Sequence, residues 1–117
     1  MECLIYLIDL AREYNYSIEF NSKSRKLLKD SIPVSGYINY RLRKILINKL
    51  KDPKMILYHL CHELGHMISR ESSIYKKWNE KYSQELMAHY FGWKIIHKYH
   101  VDISKKSWKN YYKISQK

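Results

Sequence analysis

Within "YHLCHELGHMI", Tyr58 to Ile68, the residues His62, Glu63 and His66 are set into an apolar run at the spacing His-Glu-x-x-His. On an α-helix, residues four apart lie one turn along the axis and about 40° around it, so the two imidazoles can aim at one point. That arrangement suits a zinc ion, which accepts histidine nitrogens at about 2.0–2.1 Å. Glu63, one step round from His62, lies beside such an ion without having to bind it. A carboxylate there can hold a coordinated water and take its proton, because zinc lowers the pKa of that water towards about 7. The chemistry of the pattern is hydrolysis, with water as nucleophile and no covalent enzyme intermediate.

A catalytic zinc needs a third protein ligand and keeps one position open. Glu85, nineteen residues after His66, is the best candidate. It falls near the start of the next helical pattern, and a helix packed antiparallel to the first can present it to the metal while Leu86, Phe91 and Ile95 face the core. His89, one turn beyond Glu85, is an alternative ligand, or a group hydrogen-bonded to a ligand imidazole. His59, one turn before His62, lies on nearly the same face. His97 and His100 read as surface or half-buried residues. A phenol that stabilises a developing oxyanion would help; Tyr75, Tyr82 and Tyr90 lie in suitable regions, and with twelve tyrosines the sequence does not choose among them. Trp93, Trp108 and Tyr112 read as core.

Periodicity predicts the helices and strands that carry these groups. Glu2 to about Asn15 carries Leu4, Leu7, Ile8 and Ala11 at helical spacing. "YSIEF" alternates as a short strand does, and "NSKSRKLLKDSIP" reads as a loop with a partial helix. Tyr37–Tyr40 and Lys44–Asn48 are β-rich runs split by the charged "RLRK", which predicts a hairpin. Asp52-Pro53 is a good cap followed by a good first helical residue, so a helix starts there and runs to about Arg70, with Ile56, Leu60, Leu64 and Met67 or Ile68 as its core stripe. "ESSIYKKWNEKYS" is a polar break. A second long helix starts near Ser83, and a final short one carries Trp108, Tyr111 or Tyr112, and Ile114 inward. The fold class is α+β: one mostly helical domain over residues 1–117, with a two- to three-stranded β unit packed beside the histidine helix.

Composition sets the outer bounds. The chain has 117 residues, 45% apolar and 15% aromatic, which suits one packed core; three Gly and two Pro argue against a many-stranded sandwich. Lys and Arg total 22 against 11 acids, a formal charge of +11. Such a charge permits contact with nucleic acid, an anionic surface or an acidic protein, and the spread of the lysines is equally that of a solvated surface. Cys3 and Cys61 form no CxxC pattern and are expected as free thiols. The acid at position 2 and the short apolar stretch after it exclude a signal peptide or a membrane span at the start, so the expected location is the cytoplasm.

"KILINKLKDPKMILYHLCHELGHMI" followed by "QELMAHYFGWKI" resembles the ImmA/IrrE family of gluzincin metallopeptidases. Ile45, Ile47 and Asn48, then His62 to His66, then Glu85, Ala88 and Phe91 match the family's strand, HELGH helix and E-x-x-A helix in order, over roughly residues 34–96. The resemblance implies a zincin-like fold and a zinc endopeptidase, often encoded by phages or mobile elements, that cleaves or disables a helix-turn-helix repressor. It implies His62, His66 and Glu85 as metal ligands and Glu63 as catalytic base. Where gluzincins often carry Asp or Asn four residues after the ligand Glu, this chain has His89. Little chain follows the Glu85 helix to form a separate recognition domain. Two other readings stand beside this one: a module on the same fold that grips a repressor without cleaving it, and a basic DNA-associated protein.

Overall fold

The computed structural model describes residues 2–21, 25–26, 33–34, 36–48, 53–72 and 83–115. These form a mixed α+β fold of four helices and a three-stranded sheet, with a separate two-residue strand pair. Helix α1 spans Glu2–Glu13 and strand β1 Ser17–Asn21. Strands β2 (Arg25–Lys26) and β3 (Pro33–Val34) pair antiparallel. Strand β4 spans Gly36–Asn39 and β5 Lys44–Asn48. Helices α2 (Pro53–Glu71), α3 (Gln84–Lys98) and α4 (Lys105–Ser115) complete the chain.

The hairpin expected across "RLRK" is β4–β5, paired antiparallel with Ile38 opposite Ile45. Strand β5 is central in the order β1-β5-β4, because β1 adds in parallel on its other side with Ile18 opposite Ile45 and Phe20 opposite Ile47. The strand expected at "YSIEF" has no partner legible in the sequence; parallel pairing links segments too far apart for a turn signal to announce. In the segment expected as a loop with a partial helix, Asn21 ends β1, Arg25–Lys26 form β2 and Pro33 opens β3, and 22–24 and 27–32 lie outside the described residues.

The core is one cluster running from Leu7 and Ala11 of α1 through Ile45 and Ile47 of β5 and Leu60, Leu64 and Met67 of α2 to Trp108 of α4. Of the expected α2 stripe, Leu60, Leu64 and Met67 are fully buried and Ile56 and Ile68 partly so. The helix is not simply amphipathic: it lies against both β4–β5 and α3, and from Leu57 to Met67 every residue but His59 is buried. Arg43 ties the far end of α2 to the start of the chain. Its guanidinium meets Glu71 at 2.9 Å and donates to the Tyr14 carbonyl at 2.8 Å. Asp52, expected as the α2 cap, lies outside the described residues, as do residues 73–82 of the polar break expected over 71–83. No described helix is long and apolar enough to cross a membrane.

Candidate metal centre

Helix α3 starts where the sequence places it. Ser83 is the cap, its hydroxyl oxygen accepting the Leu86 N–H at 3.1 Å. That start sets the phase of the helix, so Met87, Ala88, Phe91, Gly92, Ile95 and Ile96 are buried. Phe91 and Ile95 face the core as expected; Leu86 does not, being 39% exposed. The physical reason is angular: Glu85 lies one turn before Ala88 on the side facing α2, and Leu86, about 100° further round, falls off that side.

Helices α2 and α3 cross at Gly65. A Cβ at this position would lie 2.1 Å from the Ala88 carbonyl oxygen and 2.9 Å from the Gly92 nitrogen, so only glycine lets the two backbones meet. The crossing brings Glu85 over the α2 histidines. Glu85 Oε2 is 2.8 Å from His62 Nε2, and Oε1 is 3.1 Å from His66 Nε2. The imidazoles stand perpendicular, 4.8 Å between centroids. The ligand-capable atoms of all three residues lie within 4.8 Å of one another, a group that could hold a metal ion. Two imidazole nitrogens and one carboxylate are a donor set that suits zinc, and both rings already turn Nε2 towards the same carboxylate. His62 and His66 are nearly buried, whereas the Glu85 side chain is 45% exposed, so the group opens to solvent on the α3 side. The two histidine hydrogen bonds hold the Glu85 carboxyl far below the usual carboxylate range.

Glu63 stays outside the trio. It is 9% exposed, and burial pushes its carboxyl up to about 7, with the Glu85 charge adding to the rise and His62 opposing it. A Cβ on Gly36 of β4 would lie only 3.7 Å from Glu63 Oε2 and 2.9 Å from the Leu46 carbonyl, so the carboxylate sits over the bare backbone of that strand. Among the described strands, β4 is an edge.

His89 is neither a ligand in this group nor hydrogen-bonded to one. Its ring stacks on Trp108 at 5.2 Å and lies tilted against Tyr112 at 4.4 Å, and its Nδ1 is buried without a hydrogen-bond partner among the described residues. His59 is also outside the trio. It packs edge-on against Tyr111 and its Nδ1 lies 2.6 Å from the Tyr111 hydroxyl. Burial, and then the charge of His62, lower the His59 imidazole to about 4, so it is neutral at pH 7. His97 and His100 are exposed.

Of the tyrosines named as proton donors, Tyr75 and Tyr82 lie outside the described residues, and Tyr90 is 43% exposed beneath the Lys94 ammonium. The phenol at the site is Tyr111, which the sequence offers only as one of two alternatives, with Tyr112, for an inward contact of the last helix. Its ring lies 6.0 Å from that of His62, and burial together with the charges of Glu63 and Glu85 raises its pKa. Nothing in the sequence separates Tyr111 from eleven other tyrosines. Gly65 did carry a signal, since a glycine inside a capped helix is costly unless close packing requires it. Cys3 and Cys61 are free, and burial pushes the Cys61 thiol up. No family model, curated protein or solved structure matches this chain.

Proposed function

We propose that this chain is a zincin-like, zinc-dependent endopeptidase of the ImmA/IrrE kind that cleaves a specific protein in the cytoplasm, a helix-turn-helix repressor of a phage or mobile element. The observation that carries this reading is the convergence of His62, His66 and Glu85 from two helices while Glu63, on the same turn, stays free of the trio.

In this mechanism His62, His66 and Glu85 hold the ion. When bound, the zinc supplies Lewis acidity towards the scissile carbonyl and the attacking water. Glu63 takes the proton of that water as the new C–O bond forms, and passes it to the amine as the C–N bond breaks. Burial, which pushes the Glu63 carboxyl up to about 7, keeps both of its protonation states within reach near neutral pH. The Gly36 backbone and the outer side of β4 offer peptide groups to an extended substrate segment, placing its carbonyl next to Glu63. Tyr111 is the hydrogen-bond donor for the oxyanion. Neutral His59 exchanges tautomers freely, so Nδ1 can donate to the phenol oxygen and leave the phenol proton for the substrate.

The test is incubation of the zinc-loaded protein with repressors encoded beside its gene, with and without chelator. A discrete fragment that disappears with chelator and with Glu63→Gln is expected. Equal repressor binding by the native protein and Glu63→Gln, with no fragment from either, would make the chain a gripping module and overturn the peptidase.

A further inference from the structure

We propose that the outer face of α4 binds the phosphate backbone of double-stranded nucleic acid, independently of base sequence. This surface is separate from the metal centre. The inner side of α4 is fully used: Trp108 is 1% exposed and donates its indole N–H to the His89 carbonyl at 2.9 Å, and Tyr111 lies on His59. At about 100° per residue, Lys105, Lys109, Lys113 and Lys106 fall at about 0°, 40°, 80° and 100°, one arc on the side away from Tyr111 at about 240°. All four are exposed.

These lysines have no partner among the described residues. The acid–base pairs of the described residues join Asp9 to Arg12, Glu71 to Arg43, Glu19 to Lys44 and Glu85 to the two histidines, and none reaches α4. From Lys94 to Lys113 the chain holds six lysines and one acid, Asp102. Nor do the lysines help the helix. Its first turn has no acid and begins with Lys105 and Lys106, where the helix dipole disfavours positive charge. A solvated helix face gains from alternating Glu and Lys at i,i+4; this one repeats Lys at i,i+4, which costs stability.

What the stripe fits is a regular row of anions. Lys105, Lys109 and Lys113 rise about 6 Å per step, and ammonium groups on flexible stems act as point charges for phosphates. The stripe presents no rigid fork or apolar group for base edges, so it positions without specifying. An anionic bilayer is the lesser fit, because a surface helix adds apolar insertion to its charge and the apolar side of α4 is already buried.

The experiment is fluorescence anisotropy of the full chain on a labelled duplex across a salt series, with a parallel series on phosphatidylserine vesicles. Four phosphate contacts give a slope of about −3.6 in log affinity against log salt, a loss of about 150-fold from about 50 to about 200 mM. Replacing Lys105, Lys106, Lys109 and Lys113 together by Gln removes that slope, and Lys106→Gln or Lys109→Gln alone reduces it by about 0.9. Lys44→Gln, which removes a lysine paired with Glu19, leaves it unchanged, and circular dichroism verifies that each variant is folded. An unchanged slope in the fourfold variant, or binding to vesicles but not to the duplex, overturns the proposal.

Discussion

Along α2, His62, Glu63, His66 and Ser69 are buried with their apolar neighbours; along α4, Lys105, Lys106, Lys109 and Lys113 stay in water while Trp108 goes inside. Helix α4 obeys the amphipathic rule and α2 breaks it. Burying an ionisable group is unfavourable unless it is paired, and the fold meets that cost on α2 with Glu85, a carboxylate brought from another helix. Among the described residues Glu63 has no such partner, and its carboxyl rises to about 7. The place where polar groups are held against their preference is where chemistry is expected, whereas the well-behaved helix is informative only in the uniform sign of its charge.

Substitutions on these helices put the contrast to the test. Under the proposed function the largest effect is that of Glu63→Gln on turnover, a fall of about 10²–10⁴-fold with zinc still bound, read by single-turnover cleavage and metal analysis. Second is a pH effect on the metal-free protein. Because the folded Glu63 carboxyl titrates near 7 and the unfolded one near 4.5, the folded chain holds the extra proton between those values and loses stability as pH rises through them. Glu63→Gln removes that decline, so its stability relative to the native protein improves by on the order of 3 kcal/mol from pH 4.5 to pH 8 in urea unfolding. No such pH-dependent gain is expected from Lys109→Gln on α4.

Gly65→Ala comes next. In an isolated helix the change is stabilising by about 1 kcal/mol. Here the added methyl group meets the Ala88 carbonyl, so the variant is expected to lose about 1–3 kcal/mol and to bind zinc more weakly as α3 and Glu85 are pushed away. Calorimetric melting with and without zinc reads both effects. The smallest is Tyr111→Phe, which keeps the packing on Tyr58 and Trp108 and removes the hydroxyl; about tenfold in kcat with KM little changed is expected from steady-state kinetics.

Much of the site is legible in the sequence. The His62/Glu63/His66 spacing is local, and helix geometry converts it directly into a shared face; Ser83 is a strong cap, and it fixed the start of the helix that carries Glu85. The expectation for Leu86 failed because apolar character does not reveal which residue the crossing at Gly65 will turn inward. The parallel β1–β5 pairing and the place of Tyr111 depend on contacts between distant segments. Tyr111 reaches His59 across fifty-two residues, and no local pattern marks it. His89 was legible as a histidine near the site, but its stacking on Trp108 is decided by where α4 docks.

Whether His62, His66 and Glu85 together hold one zinc ion is decided by metal analysis after dialysis against zinc, on the native chain beside Glu85→Ala and Glu63→Gln. One zinc per chain in the native protein and in Glu63→Gln, with loss of tightly held zinc in Glu85→Ala, is the predicted result. A native chain that retains no zinc, or a Glu85→Ala variant that binds it as tightly as the native protein, would contradict it.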